Sequence, residues 1–244
     1  MYFALQVHDT GPSPESTILV PGDILGYYRY MGTKMKRGIL SFDLTGTLAT
    51  FKFCDAVYFE GLPQLYAARY GVSFEEARDY LKSQYDTLGE EIPEWYDIRY
   101  WFHRFGLGDG WTELLRAYAS HIEYYPEAPE ILERYSGEYE LVLITNAARE
   151  FMEVEIEPIR EYFTRTISCV SDFGEVKKTP DFYGKVCRSL GRRPEEITHV
   201  GDHWQFDFVA PRGHGLRAFY LDRTGRREGE HILHNLTELR DRLI

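Results

Sequence analysis

Five short runs of apolar residues recur along the chain from residue 38 onward, each bounded by polar turns. They read GILSFDL, ELVLITN, RTISCVS, ITHVGD and LRAFYLD, at 38–44, 140–146, 165–171, 197–202 and 216–222. Near-continuous apolar runs of this length are typical of strands that are covered on both faces of a parallel sheet. We therefore predict five buried strands.

Helical patterns separate the later strands. They cover residues 148–163, 180–190 and roughly 205–213, and a last amphipathic helix is predicted at about 229–243. Strands that alternate with helices predict an α/β fold, in which a doubly wound, Rossmann-like parallel sheet carries helices on both faces.

The interval 45–139 breaks this alternation, because it contains no clear strand. It reads as successive helices, several of which begin at Ser or Asp and end at Gly. Ser73 and Glu76 have the spacing of a capping box. We predict an inserted helical cap at 52–124 and a core made of 35–51 and 125–244. Ligands bind beyond the carboxyl ends of the strands in open α/β sheets, so this insertion would cover the site.

Composition narrows the classes of function. The 244 residues are 43% hydrophobic and 16% aromatic, which is enough for a substantial core and argues against disorder. The net charge is −11, whereas duplex-binding surfaces and anionic membranes require clustered Lys and Arg. We expect no nucleic-acid partner and no membrane partner, and the sequence indicates no oligomeric state.

The cysteines and the apolar segments indicate a cytoplasmic location. Cys54, Cys169 and Cys187 are widely spaced and form no CxxC pair, which is typical of buried thiols in a reducing compartment. No apolar run approaches the ~18 residues of a membrane helix. Asp9 and Glu15 interrupt any hydrophobic region of a signal peptide.

Residues 1–34 allow two interpretations. Met31 and Met35 directly precede the first strong strand, so one of them could be the natural start of the protein. Alternatively, the stretch ILVPGDILGYYRY forms a native N-terminal hairpin. The pattern does not favour either interpretation.

Polar residues follow the predicted strands where each strand ends. Asp43 ends the first strand, Thr145 and Asn146 end the second, and Asp202 ends the fourth, with Asp207 five residues later. Three converging carboxylates would raise one another's pKa values, and a hard divalent cation removes that conflict. Lys177 and Lys178, in the loop after the third strand, could neutralise an anion or a crowded carboxylate.

The order of these motifs resembles the haloacid dehalogenase (HAD) superfamily. DLTGTL, LVLITNA, GEVKKTPDFY and VGDHWQFD match the four family motifs, and the resemblance covers residues 38–244. It implies a hydrolase, most often a Mg²⁺-dependent phosphatase that acts on a small phosphorylated molecule through an aspartyl-phosphate.

The resemblance also implies roles for individual residues. Asp43 matches the nucleophile, Thr145 the donor to a phosphate oxygen, and Lys177 the charge-stabilising lysine. Lys177 is preferred over the adjacent Lys178 because Pro180 and Tyr183 then fall at the family spacing. The implied metal ligands are Asp43, Asp202 and the carbonyl of Thr45, with Asp207 either as a further ligand or as a residue that supports the ligands. Asn146 and His203 are further candidates for substrate contact.

Thr45 departs from the family pattern. Family phosphatases usually carry a second aspartate at this position, which acts as a general acid and then as a base. Threonine does not titrate near neutral pH, and general acid–base catalysis contributes about 10²–10⁴-fold. Thr45 therefore predicts a slow phosphatase, or one restricted to good leaving groups.

Two alternatives remain open on the same residues. A metal-independent dehalogenase is one, because TNA is close to a dehalogenase motif, although Gly201-Asp202 favours the metal-dependent branch. A ligand-binding or regulatory protein that lost turnover through Thr45 is the other.

The cap segment is rich in aromatic residues, and we expect most of them to form the core of the cap. Arg99, His103 and Arg104 lie among them and are candidates for contact with an anionic substrate, although solvated helix faces explain them equally well.

Overall fold

The computed structural model describes residues 36–243, so the two interpretations of residues 1–34 lie outside the described residues. The described part contains a six-stranded sheet with the order β3-β2-β1-β4-β5-β6, in which all pairs are parallel. The strands are β1 (Ile39–Phe42), β2 (Glu140–Thr145), β3 (Arg165–Ser168), β4 (Ile197–Gly201), β5 (Arg217–Leu221) and β6 (Ile232–Leu233). The predicted doubly wound α/β fold is confirmed.

The first helices follow β1. They are α1 (Lys52–Ala56), α2 (Leu62–Tyr70), α3 (Phe74–Leu88), α4 (Ile98–Arg104), α5 (Trp111–Tyr118) and α6 (Ala128–Ser136). A π-helical segment, Val57–Gly61, joins α1 to α2, and one 3₁₀ turn, Pro93–Trp95, precedes α4 while another, Ala119–His121, follows α5. The predicted capping box is present at the start of α3, where Ser73 and Glu76 bond to each other's backbone N–H groups.

The later helices alternate with the strands. They are α7 (Arg149–Glu155), α8 (Cys169–Phe173), α9 (Pro180–Leu190), α10 (Ala210–His214) and α11 (Leu239–Arg242). The segment Trp204–Val209 is π-helical, and 3₁₀ turns lie at Glu157–Tyr162, Pro194–Glu196 and Leu236–Glu238.

Buried side chains cover both faces of the sheet. One hydrophobic cluster packs α6, α11 and the 3₁₀ turn Glu157–Tyr162 against one face, and a second packs α9 and α10 against the other. β1 lies between β2 and β4, with Phe42 beside Leu143 and Val200. The carboxyl ends of these three strands therefore meet at one edge of the sheet.

The helices between residues 52 and 121 enclose a hydrophobic cluster of their own. Trp101, Phe102 and Phe53 are buried in it, and Phe151 from α7 also belongs to it. Residues 36–243 lie within one compact unit. No helix in this range has the length and apolar character needed to cross a membrane.

The predicted C-terminal helix at 229–243 is wrong. Ile232 and Leu233 are buried and pair with β5 as a sixth strand, and the helical turns begin only after Asn235, whose side chain accepts from the Thr237 N–H group. Residues 229–243 contain enough apolar residues for either structure. The open edge of β5 decides the outcome, because it offers unpaired backbone groups to the chain.

Two other predicted boundaries shift. Residues 169–171 were predicted as strand but begin α8, because the Ser168 side chain caps that helix at the Ser171 N–H group. The predicted helix at 148–163 changes at Ile156 into a 3₁₀ turn, since Pro158 lacks an N–H group and disfavours the α conformation of Glu157.

Candidate active site

The expected convergence of strand ends is present. Asp43 directly follows β1, and its N–H group donates to the Val200 carbonyl of β4 at 2.9 Å. Thr145 ends β2, and Asp202 directly follows β4. The side chains of Asp43 and Thr145 are buried, and that of Asp202 is partly exposed. These residues line one cavity of about 500 Å³.

A buried lysine connects two of the carboxylates. The Nζ atom of Lys178 lies 2.7 Å from Asp43 Oδ1 and 2.5 Å from Asp207 Oδ1, and the lysine side chain is only 2% exposed. Nζ also approaches the Ile144 carbonyl at 3.4 Å. Lys178 is held in place because Thr179 caps α9 through the Phe182 N–H group, and Pro180 occupies the first turn of that helix.

Motif spacing favours Lys177, but Lys178 is the lysine that contacts Asp43, so this prediction is wrong. Lys177 is 46% exposed at the rim of the cavity, where its ammonium group pairs with Glu91. The Thr179 N–H group donates to the Lys177 carbonyl at 2.9 Å, so the chain makes a tight turn centred on Lys178. The backbone before Thr179 aims Lys178 inward, and motif spacing does not define that direction.

Asp207 is fixed by three donors. Its Oδ1 accepts from Lys178 and lies 3.2 Å from His199 Nε2, and its Oδ2 accepts from the His203 N–H group at 3.0 Å. The Nδ1 atom of His199 lies 2.9 Å from Ser41 Oγ. A neutral His199 that donates from Nε2 to Asp207 and accepts at Nδ1 from Ser41 satisfies both contacts.

The electrostatics of the site follow from burial and from Lys178. Burial raises the pKa of Asp43 to about 7, although Lys178 opposes this shift, and burial also raises the pKa of Asp202 to about 6. Burial works against the charged form of Asp207 as well, but Lys178 and His199 outweigh it and hold the pKa of Asp207 below its usual range. The pKa of Lys178 is raised, because Asp207 and Asp43 outweigh its burial.

The carboxylates have the chemistry of a Mg²⁺ site. One oxygen from each of Asp43, Asp202 and Asp207 lies within 4.8 Å of the others, and Mg²⁺ prefers a few carboxylates with water and phosphate oxygens. Asp43 and Asp202 fit best as direct ligands. Both oxygens of Asp207 already accept protein hydrogen bonds, which favours a supporting position for that residue.

The loop after β1 is shaped around Asp202. Gly46 has φ +92°, and a Cβ atom at this position would lie 2.2 Å from a carboxylate oxygen of Asp202. Thr47 Oγ1 donates to Asp202 Oδ1 at 3.1 Å. Arg223, after β5, holds the same loop from outside, since it donates to the Thr47 carbonyl at 2.8 Å and lies over the ring of Tyr125.

Thr45 meets an unexpected carboxyl group. Its Oγ1 donates to Glu155 Oε2 at 3.4 Å, and Glu155 is fully buried at the end of α7. The Oε1 atom of Glu155 is buried without a hydrogen-bond partner among the described residues. Burial raises the pKa of Glu155 to about 8, so its carboxyl group is mainly protonated and neutral below that pH.

The other candidate contacts also border the cavity. Thr145 Oγ1 accepts from the Ala147 N–H group at 3.2 Å, and Asn146 donates to the Val176 carbonyl at 2.7 Å. His203 lines the cavity and caps the π-helical segment, because its Nδ1 accepts from the Phe206 N–H group.

The upper walls of the cavity are mainly aromatic. Tyr85, Trp95 and Tyr96 line it together with Tyr58 and Phe59, so part of the expected cap core also faces the cavity. Of the basic candidates in the helical segment, Arg99 pairs with Asp97 and Glu150, and Arg104 donates to Gln84. Arg99, His103 and Arg104 do not line this cavity.

Sequence reasoning missed His199, Glu155 and Arg223. Glu155 shares the buried face of α7 with Phe151, Met152 and Ile156, so a lone acid on an apolar helical face was the available signal. His199 stands inside an apolar strand three residues before Asp202, which was a similar signal. Nothing in the sequence around Arg223 points to the Thr47 carbonyl.

Comparison with solved structures gives matches across most of the chain. An HAD phosphatase from Thermococcus onnurineus is 26% identical, with a TM-score of 0.71, and the match covers 86% of this chain and 98% of that one. A 2-haloacid dehalogenase from Pseudomonas syringae pv. Tomato DC3000 is 22% identical, with a TM-score of 0.60 and coverage of 84% and 97%. At 16% identity, the putative HAD-hydrolase YfnB from Bacillus subtilis, solved with magnesium, has a TM-score of 0.60 and coverage of 86% and 100%.

Sequence comparison supplies the family. No curated protein matches the chain. The family model described as haloacid dehalogenase-like hydrolase matches residues 39–215, which include β1, the helical insertion, Lys178 and both aspartates after β4. The chain therefore belongs to the haloacid dehalogenase-like hydrolase family.

Proposed function

We propose that the protein is a magnesium-dependent phosphatase that acts on a small phosphate ester through a phosphorylated Asp43. The observation that carries this proposal is the buried ammonium of Lys178 at 2.7 Å from Asp43 Oδ1, beside the acidic cluster of Asp43, Asp202 and Asp207. The match to an HAD phosphatase at 26% identity supports it. The predicted cytoplasmic location stays a prediction.

Asp43 fits the role of nucleophile. Lys178 occupies Oδ1, which leaves Oδ2 as the oxygen that can attack phosphorus. The attack breaks the ester P–O bond, releases the alcohol as its oxyanion and forms the aspartyl-phosphate, which water then hydrolyses to phosphate and free Asp43. The positive charge of Lys178 opposes the rise in the pKa of Asp43 that burial causes, and it stabilises negative charge that develops on the transferring group. Thr145 adds a hydroxyl group at the adjacent strand end, where it can donate to a phosphate oxygen.

Asp43 and Asp202, together with the carbonyl of Thr45, would hold Mg²⁺. The ion supplies charge neutralisation for the phosphate oxygens when it is bound. The protein itself contributes the orientation of the charged groups. Asp207 orients Lys178, and His199 and His203 orient Asp207.

Residues 52–124 fit the role of a cap. Tyr58, Tyr85 and Trp95 from this segment form walls above the strand ends, so the segment limits the size and chemistry of the molecules that reach Asp43.

Thr45 stands where family phosphatases usually carry an acidic residue. Two protonatable side chains contact Thr45: the carboxyl group of Glu155, which does not line the cavity, and the thiol of Cys54, which does.

Dehalogenation at Asp43 is the second candidate. The pair Thr145-Asn146 favours it, because both residues line the cavity and the sequence TNA is close to a dehalogenase motif. Halide release from 2-haloacids in the presence of a chelator would support this reaction and contradict the phosphatase proposal.

Hydrolysis of para-nitrophenyl phosphate tests the proposed function. We expect turnover that requires Mg²⁺ and that falls by at least about 10³-fold in Asp43→Asn, because the nucleophile is lost. This leaving group needs little protonation, so Thr45 should not prevent the reaction. Full activity in Asp43→Asn, or no turnover in the intact protein with Mg²⁺, would contradict the proposal.

Two adjacent lysines give a matched pair of variants. Lys178→Met should lower kcat by at least about 10²-fold, because the charge beside Asp43 disappears. Lys177→Met should change kcat by less than about threefold, since an exposed ion pair contributes little. Circular dichroism spectra check that both variants are folded, because Lys178→Met leaves two buried carboxylates without their partner. Equal loss in the two variants would contradict this assignment.

Glu155 should make stability depend on pH. Its pKa is about 8 in the folded protein and 4.5 when unperturbed, so its neutral form stabilises the fold at low pH, and this contribution is lost as the pH rises through 8. Gln carries no charge at any pH. We therefore expect the Tm of Glu155→Gln, relative to the parent, to be higher at pH 9 than at pH 5 by at least about 3 °C in the presence of a chelator.

Glu153→Gln is the control for this measurement, because Glu153 lies on the same helix and is half-exposed beside Arg149. Its Tm difference from the parent should be the same at both pH values. A pH-independent difference for Glu155→Gln would show that Glu155 is ionised in the folded protein.

A further inference from the structure

The cavity above Asp43 has two chemically distinct parts. Its floor holds the charged groups at the strand ends, and its walls are aromatic side chains, chiefly from the helical segment. Tyr58 stacks on Phe151 with ring centroids 5.3 Å apart, and it also lies parallel to Trp95 at 6.3 Å. These rings form a continuous apolar wall. The part of a substrate beyond its phosphoryl group would therefore contact aromatic rings.

The mouth of the cavity presents an apolar surface as well. Phe59 is 41% exposed and Phe51 is 54% exposed, and both line the cavity. Exposed large aromatic side chains at the rim of a concave site are typical of contact with an apolar ligand. A volume of about 500 Å³ has room for a phosphoryl group and a body of one or two rings.

Charge along the walls and mouth is net negative. The charged residues here, apart from those of the floor, are Asp55, Lys82, Asp86, Glu90, Glu91 and Lys177. Lys82 pairs with Asp86 at 2.7 Å, and Lys177 pairs with Glu91. Asp55 and Glu90 form no ion pair within residues 36–243, and no arginine of this range lines the cavity. A second anion on the substrate would find no free cation outside the floor.

We propose that the substrate is a phosphomonoester of an aromatic alcohol that carries no second anionic group, and that Phe59 and Glu90 set this preference. The aromatic walls bind the ring, and the uncompensated carboxylates repel carboxylated or doubly phosphorylated molecules. This proposal rests on the proposed phosphatase activity. It disfavours small phosphorylated acids, whose carboxylate would face Glu90 and Asp55 and whose short carbon chain would leave the aromatic walls unfilled.

Two isosteric substrates test the role of charge. 4-Carbamoylphenyl phosphate and 4-carboxyphenyl phosphate have the same ring and the same shape, and only the second carries an additional negative charge. We expect the neutral compound to have a kcat/KM at least about tenfold higher. Glu90→Gln should narrow this ratio, whereas Glu94→Gln should leave it unchanged, because Glu94 is exposed and does not line the cavity.

Truncation of an aromatic side chain tests the role of the walls. Phe59→Ala should raise KM for the carbamoylphenyl compound about fivefold or more, through loss of apolar contact, with little change in kcat. Tyr80→Ala is the matched control. Tyr80 is another exposed aromatic residue of the helical segment, 44% exposed, and it lies outside the cavity lining.

Acetyl phosphate separates the two proposals, because it has a good leaving group and too small a body to fill the walls. Its hydrolysis, with equal kcat/KM for the two aryl phosphates and no effect of Phe59→Ala, would overturn the assignment of substrate class and leave the phosphatase activity standing. A preference for the carboxylated compound would also overturn it. Failure to hydrolyse acetyl phosphate and both aryl phosphates would overturn both proposals.

Discussion

The site depends on one buried positive charge placed between two buried negative charges. A lysine that is only 2% exposed is costly unless its ammonium is paired, and Lys178 is paired with both Asp43 and Asp207. The three residues come from the end of β1, the loop before α9 and the π-helical segment after β4. Their pairing joins three separate loops at the edge of the sheet, and it fixes one oxygen of Asp43 so that the other is free.

The apolar runs predicted the sheet well, because strands buried on both faces contain little else. The order of strand-end residues also predicted that Asp43, Asp202 and Asp207 converge, and the structure confirms it. The prediction failed where a local pattern allows two outcomes. Residues 229–243 suit a helix or an edge strand, and the choice depends on β5, which lies close in space and not in the pattern of the segment.

The choice between Lys177 and Lys178 failed for a different reason. The two lysines are adjacent and chemically identical, and only the backbone direction before Thr179 separates them. Glu155 and His199 were missed because their importance lies in contacts across the fold, with Thr45 and Asp207 respectively. Single-sequence patterns describe which face of an element is buried, but they do not show which distant group a buried polar side chain meets.

Charged groups and aromatic groups lie in different parts of the cavity. Lys178, the carboxylates and Thr145 form a polar floor that suits a phosphoryl group, while aromatic residues of the helical segment form walls that suit the rest of a substrate. In the proposed reaction Thr45 supplies no acid, so the leaving group would carry more of the developing charge itself. Leaving groups derived from aromatic alcohols meet that requirement better than aliphatic ones.

Direct detection of the phosphorylated residue tests the central claim. The protein is mixed with Mg²⁺ and acetyl phosphate labelled in its phosphoryl group, quenched in acid within one turnover, and digested for peptide mapping. The account predicts an acid-stable label on the peptide that contains Asp43, at the side-chain carboxyl group. A label on another residue, or phosphate release at full rate without any labelled protein, would contradict it.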